Sequence, residues 1–168
     1  MLMVAQWSGV WLGRMAMHRH LRRLRWVHVR EPVIFITTCV AGRHHLLANP
    51  MAHGILSEEW REMSARRGWA VGRYVVMPDH VHFFARARGV DAEPFQTAIG
   101  RWKEWSARRI GLTSGRPGGL WQSEFFDHVL RSEESRSAKC NYVRENPVRA
   151  GLVMNADDWP YSGFIDFE

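Results

Sequence analysis

Two histidines stand two apart in His80-Val81-His82, within a run of β-branched and aromatic residues. On a strand, side chains two apart project from one face, so both imidazoles point together and Val81 turns into the opposite layer. Held that way they are adjacent ligands for one divalent metal ion, although a half-exposed strand with two unrelated histidines has the same pattern. A second set lies in Cys140-Asn141-Tyr142-Val143-Arg144-Glu145-Asn146-Pro147. Asn146 follows Tyr142 by four residues, which on a helix puts both on one face. A tyrosine nucleophile and an amide ligand would then look into one pocket. Three ligands, His80, His82 and Asn146, leave positions for water and phosphate oxygens, and a mixed nitrogen and oxygen set suits magnesium or manganese. Tyr142 alone decides nothing, because a helical tyrosine is commonly a packed aromatic with its hydroxyl satisfied.

The elements that must position these residues follow from hydrophobic periodicity. Val33 to Val40 (VIFITTCV) reads as a strand, with Ala41-Gly42-Arg43 as a turn. Pro50 to Arg67 reads as an amphipathic helix with Ile55, Leu56, Trp60 and Met63 inward, stopped by Gly68. Trp69 to Met77 and His80 to Arg86 form a hairpin across Pro78-Asp79. Pro94 to Ile110 is a second helix with a stripe of Phe95, Ala98, Ile99, Trp102 and Trp105, and Gly111 to Gly119 is a loop. Glu124 to Leu130 is extended. Ser132 to Asn146 is a third helix, capped at Ser132 and Ser135 and stopped by Pro147. The tail from Gly151 carries Trp159-Pro160-Tyr161, which should pack on the body. This order predicts an α+β fold, a ferredoxin-like antiparallel sheet whose simplest version has its helices on one face.

Charge is unevenly placed. The 168 residues carry a formal net charge of +6. No acidic residue precedes Glu31, while Arg14, Arg19, Arg22, Arg23, Arg25 and Arg30 do; the remaining basic residues equal the 17 acidic ones in number. Residues 1–30 therefore read as a basic arm and residues 31–168 as a single neutral domain. Such an arm suits a polyanion, though residues before about Met17 also read as an extension from an upstream start codon. Lys103 and Lys139 are the only lysines. Cys39 and Cys140 form neither a zinc pattern nor a disulfide framework, which fits a reducing cytoplasm. The opening apolar stretch is too short to span a bilayer, so no membrane partner is expected.

The blocks around the histidines and the tyrosine, taken together, carry a resemblance. Tyr74-Val75-Val76-Met77-Pro78-Asp79-His80-Val81-His82 resembles the histidine motif of the HUH single-tyrosine transposases. Tyr142-Val143-Arg144-Glu145-Asn146-Pro147-Val148-Arg149-Ala150-Gly151-Leu152-Val153 resembles their tyrosine helix. Leu120 to Arg131 (LWQSEFFDHVLR) resembles a third block lying between. The branch it is most similar to is the REP-associated tyrosine transposases, which are linked to short extragenic palindromes. The resemblance runs from about Pro32 to about Ser162. It implies a HUH endonuclease fold and a metal-dependent cut of single-stranded DNA beside a hairpin, with strand rejoining. Tyr142 would be the nucleophile that leaves a 5′-phosphotyrosine and a free 3′-hydroxyl. His80, His82 and Asn146 would hold Mg2+ or Mn2+. Asp127 and His128 are candidates for a supporting role behind these ligands.

The expected partner is single-stranded or hairpin DNA in the cytoplasm, associated with the nucleoid; monomer and homodimer both stay open. For DNA contacts the candidates are Arg22, Arg23 and Arg25 in the arm, Arg101, Lys103, Arg108 and Arg109 on the second helix, and Arg116 in the glycine loop. Other readings compete. A catalytically silent hairpin-binding protein or regulator would keep affinity without cleavage. A histidine-triad hydrolase wants a further histidine where Phe84 stands, and a two-histidine phosphodiesterase wants a second His-x-Thr/Ser motif that this chain lacks.

Overall fold

The computed structural model describes residues 32–115 and 119–168. Its elements are β1 (Val33–Cys39), α1 (Pro50–Arg67), β2 (Trp69–Val76), β3 (His80–Ala87), α2 (Phe95–Ser114), β4 (Phe126–Leu130), α3 (Glu133–Arg149) and β5 (Ser162–Phe164). The strands form one sheet in the order β4-β1-β3-β2-β5, and its pairs are antiparallel. The first six elements give the ferredoxin-like β-α-β-β-α-β arrangement, to which α3 and β5 are added.

Local chemistry sets the boundaries. Asn49 caps α1 by accepting from the Ala52 amide at 2.9 Å, and Gly68 ends it at a φ of 71°. The hairpin turn closes through the Met77 amide donating to the His80 carbonyl at 2.8 Å. Ser132 and Ser135 form a reciprocal capping box at the start of α3.

Side-chain alternation along β3 divides the core in two. Phe83 faces Trp60 and Trp102, whose rings stack on each other 5.6 Å apart. Phe84 faces the other way, into a cluster with Val33, Phe35, Val75, Met77, Leu130 and Val143, against which Cys140, Tyr142 and Trp159 pack. So α1 and α2 cover one face and α3 the other, which corrects the simpler expectation of helices on a single face. The reason is that both faces of β1, β2 and β3 are apolar, and a sheet apolar on both sides needs cover on both.

Four other expectations change. Gly111 does not end α2; one mid-helix glycine costs only about 1 kcal/mol, and the helix runs on to Gly115, which has a φ of 66°. Trp105 is not core. Beyond Trp102 the buried stripe shifts to Ser106 and Ile110, leaving Trp105 43% exposed. Pro147 does not stop α3 but sits inside its last turn. The stop is Gly151, at a φ of 68°: its amide donates to Val148 and that of Leu152 to Pro147, a Schellman ending. The tail, finally, adds a fifth strand beside β2. Trp159 anchors it by donating from Nε1 to the Val76 carbonyl at 3.0 Å.

Candidate active site

The site lies on the face of the sheet covered by α3. His80 and His82 leave β3 on that face with ring centroids 4.7 Å apart. The Tyr142 ring reaches down from α3 to within 5.5 Å of the His82 ring. Asn146 lies one turn further along α3 and is buried. Phe35 of β1 supports the group from below, stacked on His82 at 5.3 Å and edge-on to Tyr142 at 6.4 Å.

Each histidine has one ring nitrogen tied down. Thr37 pairs with His82 across β1 and β3, and its hydroxyl lies 2.8 Å from Nδ1. Nε2 of His82 is buried and, among the described residues, has no hydrogen-bond partner. Burial first, and then the charges of His80, Lys139 and Arg43, hold this imidazole well below its usual pKa, so it is neutral at pH 7. His80 Nδ1 sits 2.6 Å from Asp79 Oδ1, and Arg43 Nε holds the other oxygen, Oδ2, at 2.8 Å. Burial alone would raise the Asp79 carboxyl, but the hydrogen bond and charge of His80 and the charge of Arg43 outweigh it and bring it below its usual value. Tying the outer nitrogen to a hydroxyl or carboxylate is how proteins orient metal-ligating histidines. The orphaned Nε2 of His82 is the observation that tests the fit: a buried acceptor with no partner is costly unless it has a ligand. The residues present therefore fit a divalent metal. Among the described residues no group of three His, Cys, Asp or Glu side chains is poised for one; the buried Asn146 amide stands on the same helix as Tyr142, one turn on.

The other candidates separate. His128 pairs with Phe35, so it leaves β4 on the site's face, but it is exposed. Asp127, one residue before, turns to the opposite face. Arg101, Lys103, Arg108 and Arg109 lie on α2, across the sheet from the histidines. Arg101 pairs with Glu93, and Lys103 donates to the carbonyls of Gln122 and Ser123. Arg109 holds Glu58 and Glu59, while Arg108 lies over the Trp105 ring. Arg22, Arg23, Arg25 and Arg116 lie outside the described residues. Thr37, Arg43, Phe35 and Asp79 were not singled out from the sequence. Only Asp79, adjacent to His80, carried a readable signal; the others needed the register of β1 on β3.

A ferredoxin-like sheet with a histidine pair on a central strand, facing a tyrosine on a helix, defines the HUH class of fold. No family model matches the chain. The ISDra2 transposase TnpA of Deinococcus radiodurans is 32% identical over 112 residues, covering 62% of this chain and 76% of that one. A REP-associated tyrosine transposase of Escherichia coli K12 is 28% identical over 99 residues, covering 58% and 56%. A solved structure of a REP-associated tyrosine transposase bound to a REP hairpin has the same fold, with a TM-score of 0.65 at 23% identity over 78% of this chain and 75% of that one. The chain belongs to the HUH single-tyrosine transposase family. It spans about half the length of the REP-associated relatives it matches.

Proposed function

We propose that this protein cuts and rejoins single-stranded DNA beside hairpins of the REP type, by way of a 5′-phosphotyrosine on Tyr142. The observation that carries the reading is the pairing of two oriented imidazoles, one with a buried and unpartnered Nε2, against the ring of a helical tyrosine. His80, His82 and the Asn146 amide would hold Mg2+ or Mn2+. Bound there, the ion draws charge from the scissile phosphate and stabilises the charge that develops as the bond changes.

The chain's own residues account for the rest. The α3 backbone and the Phe35 ring fix the attacking phenol in place, which lowers the entropic part of the barrier. Tyr142 Oη forms a bond to phosphorus as the bond from phosphorus to the 3′ oxygen breaks, and the electron pair leaves on that oxygen. The phenol gives up one proton and the 3′ oxygen gains one. The phosphoester is conserved in the covalent link, so a later 3′-hydroxyl reverses the step and reseals the strand. Neutral His82 is in the protonation state that ligation needs. Hairpin DNA as the partner is supported by what the solved relative holds.

The test is incubation of the purified protein with labelled single-stranded hairpins copied from the DNA beside its own gene, with Mg2+ or Mn2+. A covalent adduct on a denaturing gel is expected, absent with Tyr142→Phe, with His82→Ala and with chelator. Hairpin binding without adduct under either metal would support a catalytically silent binder instead.

A further inference from the structure

Lys139 stands three residues before Tyr142 on α3, so Lys139, Tyr142 and Asn146 follow one another at i, i+3 and i+7 along one helix face. Its ammonium lies 4.7 Å from the Phe35 ring centroid and 5.0 Å from that of Tyr142. The lysine is half-buried, and among the described residues it makes no ion pair with a carboxylate. Partial burial without a counter-charge works against the charged form, and burial lowers its pKa here. Arg149 also places its guanidinium 5.5 Å from the Tyr142 ring centroid. Asp79, the carboxylate next to His80, is already held by Arg43 and His80. Two cations therefore lie against the Tyr142 ring, and among the described residues neither has a carboxylate partner.

We propose that Lys139 is a catalytic residue of strand cleavage, whose ammonium takes a non-bridging oxygen of the scissile phosphodiester as Tyr142 Oη attacks. This rests on the tyrosine-cleavage reading above. The aromatic rings hold the amine half-buried beside the Tyr142 ring, where a preoriented donor gains from the charge that builds on the phosphoryl oxygens. It also answers where the missing counter-charge comes from: the DNA supplies it.

The experiment measures single-turnover adduct formation on a hairpin substrate with Mn2+ for wild type, Lys139→Met, Lys139→Arg and Lys139→Ala. Methionine keeps the apolar stem over Phe35, so it remains decisive if the alanine variant folds poorly. Lys139→Met is expected to slow the adduct roughly 100-fold, with hairpin Kd within about threefold, and Lys139→Arg to recover at least about tenfold of the loss. A Lys139→Met rate within about threefold of wild type overturns the proposal. So does an equal loss in the Met and Arg variants, which marks a packing role. If wild type itself forms no adduct, the tyrosine-cleavage reading fails, and the role of Lys139 falls with it.

Discussion

Thr37 shows how much of the site depends on one hydroxyl. Its Oγ1 at His82 Nδ1 fixes which ring nitrogen faces the pocket. Thr37→Val keeps the branched shape and removes that contact, and is expected to weaken Mn2+ binding by roughly 10- to 100-fold and to cost about 1–3 kcal/mol of stability by leaving the buried Nδ1 unpaired. Calorimetric titration with Mn2+ checks this; unchanged affinity would mean the hydroxyl does not orient the ring. His82 also makes stability depend on pH. With its folded pKa well below about 6.5, folded and unfolded chains are both neutral at this residue above that pH. As pH falls below it, the unfolded chain takes the proton first, so stability is lost toward the folded value. His53, lowered by burial and by Arg61, adds to the same window. Asp79 acts lower: its contribution is intact above its usual carboxylate value and lost as pH falls further. In chelator, the urea midpoint should drop between pH 7.5 and 5.5, and His82→Phe should reduce that drop; an equal drop in both proteins would contradict the assignment. The His80 and His82 pair was legible because side chains two apart on a strand share a face; Tyr142 was legible only through the resemblance of its block, since spacing does not say which face α3 covers. Thr37, Phe35 and Arg43 were not, because their roles exist only once β1 is paired with β3.

At the scale of elements, the readable features were those written in local chemistry. Asn49, Gly68 and the Ser132 box mark ends that capping explains. The ends of α2 and α3 were misread for one reason: glycine and proline weaken a helix without fixing where it stops. Pro147 needs no amide partner, and in the last turn the missing hydrogen bond costs little when Gly151 closes the helix behind it. Gly151→Ala is therefore expected to lower stability by about 1 kcal/mol through the strained φ, read from denaturant melts; no change would mean that another residue terminates α3. The tryptophans of α2 give a sharper contrast. Trp102 is 1% exposed and Trp105 43%. Trp102→Ala should cost about 3–5 kcal/mol, and Trp105→Ala under about 1 kcal/mol. Equal losses would contradict the shift of the buried stripe to Ser106 and Ile110. Periodicity could not separate the two, because i+3 and i+4 from the same turn are both available to a buried face.

For the whole molecule, the sheet is a partition. The α1 and α2 side is an aromatic core of Trp60, Phe83, Trp102 and Trp121; the α3 side holds the histidines and the tyrosine. Phe84 continues the His80 and His82 row as core, which is why the polar chemistry is confined to one end of the sheet. The tail completes the body. β5 covers the β2 edge, and Asp166 accepts from the Val71 amide at 2.7 Å, from Ser64 Oγ at 3.0 Å and from Arg88 at 2.6 Å. Phe167 lies against Gly72, where a Cβ would come within 2.5 Å of its ring. Asp166→Ala should cost about 1–2 kcal/mol, mainly by leaving the Val71 amide without its acceptor; an unchanged melting curve would show that the tail does not brace β2. The fold class was readable from the order of elements, but the position of α3 was not, since an amphipathic helix does not say which face of a sheet it covers.

The proposed cleavage leaves DNA covalently bound to one oxygen, Tyr142 Oη. Mass spectrometry of peptides from the protein after reaction with a flanking hairpin and Mn2+ tests it most directly. A nucleotide is expected on the peptide that contains Tyr142, and none when His82 is alanine or the metal is chelated. Tightly bound hairpin with no modified peptide, or modification at another residue, would contradict it.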